Sequence, residues 1–113
     1  MQILDSSSGD AIAGQARDAN TWWTRFRGLM LASRLQEGEA LRIEPCGSIH
    51  MMFMRFPIDA VFYDGEGRVT KVARNVRPWT GIAFGGKGAK GVIELPRGAA
   101  DAVETGHQLT FAA

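Results

Sequence analysis

Three charged side chains, Arg55, Asp59 and Glu94, interrupt otherwise apolar stretches of the sequence. Burying an isolated ion costs more free energy than folding can spare, so each of these groups must be paired or must reach solvent. One arrangement that meets this requirement is a set of structural ion pairs, in which Arg25 is a further partner. The other is a polar cleft that binds a ligand, or in which Asp59 or Glu94 acts as a general base.

The pair Cys46 and His50 is a second candidate site, because a thiolate beside an imidazole makes an activated nucleophile. Four residues of extended strand span about 13 Å, so the two side chains meet only if the chain turns between them. A small buried thiol and a structural histidine are the simpler interpretation. We therefore expect no catalytic dyad.

Residues 76–91, VRPWTGIAFGGKGAKG, form a glycine-rich stretch long enough to be a functional loop. It partly matches a P-loop, but Gly88 replaces the hydroxyl residue that reaches magnesium. It also matches the spacing of a dinucleotide-binding motif, but a strand pattern follows where that motif requires a helix. The stretch therefore predicts no nucleotide cofactor. With Lys87 and Lys90, its backbone is instead a candidate for a mobile lid that holds an anion.

The sequence does not favour metal binding. Cys46 is the single cysteine, and no CxxC or Cys/His cluster surrounds it. The sulfur atoms of Met51, Met52 and Met54 suit Cu(I), but in a strand Met51 points away from the other two, which favours core packing. We expect neither a metal nor a cofactor.

With 113 residues, 45% of them hydrophobic and 22% charged, the chain has the length and composition of one soluble globular domain. Its 13 Lys and Arg against 12 Asp and Glu give a formal net charge of +1, so it lacks the field that draws proteins onto nucleic acid. The first residues, MQILDSSSGDAIAG, do not match a signal peptide or a membrane span. We expect a cytoplasmic protein that binds neither nucleic acid nor membranes; export after removal of a leader is the alternative.

The N-terminal part of the chain shows apolar segments separated by turn residues. Residues 2–4 and 11–16 flank the string DSSSGD, which predicts an opening β-hairpin. Residues 20–28 predict a short helix, capped by Asn or Thr and ended by glycine. The alternating run at residues 39–43 predicts another strand.

The centre of the chain predicts a three-stranded antiparallel meander of residues 49–54, 59–63 and 68–73. The first of these strands is apolar on both faces apart from one histidine, which indicates a central position. The string DGEG predicts the tight turn of the second hairpin, with Gly65 or Gly67 at positive φ.

The C-terminal part predicts a short strand at 82–84, a strand at 92–95, a helix at 99–104 and a last strand at 108–111. The fold class that follows is mainly β (α+β). We expect a compact barrel-like or sandwich-like domain of about seven or eight mostly antiparallel strands with two short helices.

The strings RFRGLM, HMMFMRFPIDAVFYDGEGRV and VIELPRGAADAV occur in an order that resembles the DUF192 (COG1430) family of small bacterial and archaeal proteins. The similarity spans roughly residues 13–111. Many members have Trp where this chain has Phe53, and Asp where it has His107. The resemblance implies a compact β-dominated barrel or sandwich with two short helices, in a family of uncharacterised function, and it implies no reaction.

The sequence therefore predicts a small-molecule or anion-binding accessory domain. We expect its polar cleft to be lined by Arg55, Asp59, Glu94 and Lys87. The secondary candidates for the site are Arg25, His50 and Cys46. A hydrolase that uses Asp59 or Glu94 as general base is one alternative. A structural or protein-interaction module is the other.

Overall fold

The computed structural model of the chain describes residues 1–18, 35–51 and 54–112, and these residues form ten β-strands and no helix. The strands are β1 (Gln2–Asp5), β2 (Asp10–Ala13), β3 (Gln15–Asp18), β4 (Glu39–Ile43), β5 (Ser48–His50), β6 (Ile58–Tyr63), β7 (Val69–Val76), β8 (Ile82–Phe84), β9 (Gly91–Pro96) and β10 (Leu109–Ala112). They form three sheets, with the strand orders β10-β1-β2, β3-β4-β9-β6-β7 and β5-β8. The two-stranded sheet β5-β8 is termed the ribbon.

The five-stranded sheet is the centre of the fold. Its strands β3 and β4 are parallel, and every other neighbouring pair is antiparallel. The middle strands, β9 and β6, are apolar runs that are buried at nearly every position, as expected for strands covered on both faces. Asp59 and Glu94 are the charged residues of these two strands, and both are buried.

The two faces of the central sheet pack against different layers, and each layer removes apolar surface from water. One face, termed the ribbon face, carries apolar side chains of β4, β6 and β9 and packs on the ribbon and on Met51, Met54 and Phe56. Its core also includes Leu41, Ala60, Phe62, Val92, Ile49 and Ala83. The other, termed the hairpin face, packs on the three-stranded sheet; its core includes Val61, Ile93, Leu95, Ile3, Ala13 and Leu109. The domain is therefore layered on both sides of one sheet.

The predicted helix at residues 99–104 is wrong. The segment consists of successive turns, in which Asp101 N–H donates to Gly98 O at 3.2 Å and Val103 N–H donates to Ala100 O at 3.0 Å. The Arg74 side chain donates to the carbonyls of Ala100 and Val103, which ties these turns to β7. The other predicted helix, at residues 20–28, lies outside the described residues.

The predicted meander is confirmed in its second hairpin and wrong in its first. β6 and β7 pair antiparallel, and Gly67 has a φ of +81° in the turn between them. β5, however, ends at His50, and Met54 N–H donates to Met51 O at 2.9 Å rather than to a neighbouring strand. β5 then pairs with β8, and the long apolar strand β9 takes the place beside β6.

The remaining predicted strands are confirmed with small shifts of their ends. The opening hairpin is formed by β1 and β2, but the last residues predicted for it belong to β3. The other four predicted strands, at 39–43, 82–84, 92–95 and 108–111, correspond in this order to β4, β8, β9 and β10. A mainly β fold is correct, whereas the described residues form ten strands, of which one pair is parallel, and these strands do not close into a barrel. No helix that is long and apolar enough to cross a bilayer occurs in the described residues.

Candidate functional site

Glu94 lies at the centre of the five-stranded sheet. Its register partners are Leu41 on β4 and Ala60 on β6, and side chains at such opposed positions lie within van der Waals reach of each other. Because side chains alternate along a strand, Glu94 shares the ribbon face with Val92. Only 5% of its surface is exposed, and its buried Oε2 atom has no hydrogen-bond partner within residues 1–18, 35–51 and 54–112.

Burial raises the pKa of Glu94 from its ordinary value of 4.5 to about 8. The cause is desolvation, which disfavours the charged carboxylate when no cation or N–H group compensates it. At pH 7 the carboxyl therefore holds its proton. In that state it offers one O–H donor and one carbonyl acceptor inside an apolar layer.

Asp59 is also buried, but its carboxylate is fully used by the backbone. The N–H of Asn75 donates to Oδ1 at 2.9 Å, and the N–H groups of Gly98 and Ala100 donate to Oδ2 at 3.0 and 3.1 Å. Asn75 itself has a φ of +52°, a conformation that the bond to Asp59 helps to hold. Asp59 thus ties the end of β7 and the turn after β9 to β6, which is a structural role.

The structure does not bring Asp59 and Glu94 together. Asp59 is opposite Leu95, and its neighbour Ala60 is opposite Glu94, so the two acidic side chains project from opposite faces of the sheet. Arg55 and Lys87 are exposed, the first after the turn that follows β5 and the second in the turn between β8 and β9. Arg25 lies outside the described residues.

The glycine-rich stretch is partly fixed by packing. It contains β8, and Gly85 lies so close to the Phe62 ring that an added Cβ would come within 2.5 Å of it. Lys90 is not available as an anion ligand in this arrangement, because its Nζ is 3.3 Å from a Glu44 carboxylate oxygen. The mobile lid at residues 80–90 stays a prediction, with Lys87 as its remaining cation.

Cys46 and His50 occupy the start and the end of the β5 segment. The Cys46 thiol donates to the Ser48 carbonyl at 3.0 Å, a bond that requires the protonated thiol. His50 is exposed and lies opposite Ile82 on the ribbon. This geometry favours the structural interpretation of both residues.

Sequence reasoning missed a buried pair that joins the two ends of the chain. Asp5 is 1% exposed, and its Oδ2 lies 2.7 Å from Nδ1 of His107. The N–H of Ser7 donates to Oδ1 of Asp5 at 3.0 Å. An Asp followed by Ser-Ser-Ser-Gly is typical of such a side-chain-to-backbone turn, and this was the available signal. A surface cleft of about 350 Å³ lies beside the pair, lined partly by Asp10 and Asp101.

A polar network on the hairpin face is also structural. Arg42 bonds to both carboxylate oxygens of Asp18, at 2.6 and 3.1 Å, and its guanidinium lies 4.8 Å from the centre of the Phe111 ring. The Tyr63 hydroxyl donates to Glu44 at 2.7 Å, and burial together with this carboxylate raises the pKa of Tyr63. The described residues contain no cluster of His, Cys, Asp and Glu that is able to hold a metal ion.

These features define a single layered β domain, and in its described part the central sheet carries a buried carboxyl without a hydrogen-bond partner. Residues 4–111 match the sequence profile of DUF192, described as Uncharacterized ACR, COG1430. The chain belongs to this family, which confirms the resemblance seen in its sequence motifs. The function of the family is uncharacterised.

Relatives agree with this assignment, and a solved structure has the same fold. The chain is 36% identical over 104 residues to a UPF0127 protein of Thermococcus sibiricus and 37% identical over 102 residues to one of Thermococcus gammatolerans. These matches cover 88% and 85% of the chain but 66% and 64% of the relatives, so the chain spans just under two thirds of their length. A crystal structure of a protein of unknown function from Novosphingobium aromaticivorans has the same fold, with a TM-score of 0.82 at 20% identity, and the match covers 97% of this chain and 82% of that one.

Proposed function

We propose that the domain binds a small molecule through the Glu94 carboxyl. One observation carries this proposal: Oε2 of Glu94 is buried and has no hydrogen-bond partner among the residues that the structure describes. An unsatisfied buried polar atom costs about 1–3 kcal/mol, and a hydrogen bond from a ligand would offset that cost. Asp59 is the contrast within the same fold, because its carboxylate accepts three backbone N–H groups.

The state of the carboxyl restricts the chemistry of the ligand. A protonated Glu94 presents a donor and an acceptor side by side, which pair with a carboxylic acid, an amide or a lactam through two parallel hydrogen bonds. Its neighbours Leu41, Ala60 and Val92 are apolar, so the part of the ligand next to the carboxyl group should be apolar as well. Arg55 and Lys87 are the proposed contacts for an anionic end that stays in solvent.

A thermal-shift screen tests the proposal. The panel pairs small carboxylic acids, amides and lactams with the corresponding alcohols, which lack the paired donor and acceptor. A specific ligand at 100 times its Kd should stabilise the wild type by about 2.7 kcal/mol. We expect the shift to be kept in part by Glu94→Gln and lost in Glu94→Met.

Glu66→Gln is the matched control, because Glu66 is exposed in the β6-β7 turn and belongs neither to the ribbon nor to the core of the ribbon face. It should respond to ligands as the wild type does. A ligand shift of equal size in Glu94→Met and wild type would remove Glu94 from the binding site and refute the proposal.

An enzyme that uses Glu94 as general base is the second candidate function. A carboxyl with a pKa near 8 exchanges its proton close to neutral pH, where general acid–base catalysts operate. Compounds that shift the melting temperature can be incubated with the protein and their products measured by mass spectrometry. Turnover that rises with pH towards 8 and is lost in Glu94→Gln would identify an enzyme, whereas binding without turnover supports the binding domain.

A further inference from the structure

Among the described residues three large apolar side chains are exposed, two of them on the ribbon and one in the segment just before β8. Trp79, Ile82 and Phe84 are 56%, 64% and 68% exposed. Ile82 and Phe84 are two residues apart on β8 and therefore project from the same side, opposite His50 and Ser48 of β5. These five residues are termed the ribbon patch. Clustered exposed apolar groups of this kind mark interaction surfaces more often than isolated ones do.

The segments that build the ribbon patch carry positive charge and no acidic residue. Residues 45–58 and 76–93 contain no Asp or Glu, and their cations are Arg55, Arg77, Lys87 and Lys90. Of the 13 Lys and Arg of the chain, the other nine lie outside these two segments, together with all 12 acidic residues. Lys90 is paired with Glu44, whereas the other three cations are exposed. The surface around the ribbon patch thus complements a negatively charged partner.

The outer edge of β8 is open to backbone pairing. Within the part of the chain that the structure describes, β8 is hydrogen-bonded to β5 alone. The N–H of Gly85 donates to the Gly47 carbonyl at 2.8 Å, so the backbone of Gly85 faces β5. Because this direction alternates along an antiparallel strand, the N–H and C=O groups of Ile82 and Phe84 point to the open edge.

Trp79 is held in a conformation that bulky residues rarely adopt. Its φ is +67°, and its N–H donates to the Met51 carbonyl at 2.8 Å at the end of the ribbon. Such a conformation costs about 1–3 kcal/mol and persists at sites where the surroundings require it. Here the strained turn carries an indole that is more than half exposed.

We propose that the ribbon patch binds an extended, acidic segment of a partner protein, which adds a strand along the outer edge of β8. The backbone of the segment would pair with Ile82 and Phe84, its alternate apolar side chains would pack on the same two residues and on Trp79, and its acidic flanks would meet Arg77 and Lys87. Main-chain bonds then supply affinity, and the side chains supply specificity. This interaction does not involve Glu94, and Lys87 is the one residue that it shares with the small-molecule site proposed above.

Two other occupants fit the observations less well. A second copy joined through β8 would bring both sets of Arg77 and Lys87 together, and like charges across an interface cost several kcal/mol. A bilayer would accept the exposed aromatic side chains, but hydrocarbon leaves the N–H and C=O groups of the open edge unsatisfied. An acidic protein segment would both neutralise the positive charge of Arg77 and Lys87 and form hydrogen bonds with the unpaired backbone groups of β8.

Selection from a phage-displayed library of random dodecapeptides tests the proposal. We expect an enriched consensus with alternating apolar residues and Asp or Glu on its flanks. The best synthetic peptide, measured by fluorescence anisotropy, should bind at least about tenfold more weakly to Phe84→Ser and to the double variant Arg77→Glu/Lys87→Glu. Arg17→Glu is the matched control, because Arg17 is exposed on β3, at the sheet edge opposite β7, and it should bind normally.

Other outcomes would overturn the proposal. A basic or uncharged consensus, no enrichment at all, or unchanged peptide binding by Phe84→Ser would each contradict an acidic strand at β8. Sedimentation with phosphatidylserine vesicles in the absence of peptide binding would assign the patch to membranes. A dimer in analytical ultracentrifugation that Phe84→Ser abolishes would assign it to a second copy. Melting temperatures check that each variant is folded, which is expected because the altered side chains are exposed.

Discussion

Replacing Glu94 should change how the stability of the protein depends on pH. The pKa of Glu94 is about 8 in the folded protein and 4.5 in its ordinary state, which represents the unfolded chain. Below pH 4.5 both states hold the proton. Between pH 4.5 and 8 the unfolded chain loses it while the folded protein keeps it, so the free energy of unfolding falls as pH rises, by about 1.4 kcal/mol per pH unit. At pH 7 the loss from this group is about 3 kcal/mol.

Two variants separate the titration from the burial of the polar atom. Glu94→Gln has the shape of the protonated carboxyl but does not titrate. The free energy of unfolding of the wild type, minus that of Glu94→Gln, should therefore fall by about 3 kcal/mol between pH 4.5 and pH 7. Glu94→Met also removes the unsatisfied oxygen and fits the same space. It should therefore be more stable than the wild type at pH 7.

Urea denaturation of the three proteins at a series of pH values measures these differences, provided that the m-values agree. Parallel pH profiles for wild type and Glu94→Gln would show that the carboxyl titrates normally. A loss of several kcal/mol in Glu94→Met at pH 7 would show that Glu94 is an ionised member of a structural pair. Either result would refute the reasoning that leads to a binding site.

Two further predictions concern the backbone around the site. Asp59→Ala should lower the free energy of unfolding, measured by urea denaturation, by about 3–5 kcal/mol, because three backbone N–H groups lose their acceptor. A loss below about 1 kcal/mol would contradict the structural role of Asp59. Gly85→Ala should cost about 1–3 kcal/mol, because its Cβ would lie 2.5 Å from the Phe62 ring, whereas Gly47→Ala, across the ribbon, should change stability by less than about 0.5 kcal/mol. Equal effects of the two glycine variants on the melting temperature would show that the ribbon is loosely packed.

Local sequence patterns predicted where strands occur better than they predicted which strands pair with each other. Alternation and turn residues located β4 and the β6-β7 hairpin, because those features depend on neighbours in sequence. The pairing of β5 with β8 depends on residues more than thirty positions apart, and no local pattern encodes that choice. The segment at residues 99–104 has good helix formers, but the Arg74 side chain and the bond to Asp59 fix it as turns.

The candidate site shows the same limit. Charge within an apolar run correctly identified Asp59 and Glu94 as unusual, and both are buried. Their different roles follow from the register of β6 and β9, which turns the side chains to opposite faces. The N–H groups that satisfy Asp59 come from the end of β7 and the turn after β9, 16 to 41 positions away, so the sequence gives no sign that one carboxyl group is paired and the other is not.

The position of β1 between β2 and β10 has a consequence for the synthesis of the chain. β2 follows β1 closely and can form its hairpin early, but β10 is the last strand, and Gln2 pairs with Ala112. During translation one edge of β1 therefore stays unpaired until nearly all of the domain has left the ribosome. An unpaired strand edge in a nascent chain is a template for wrong association, so β1 is the place where chaperones would be needed longest.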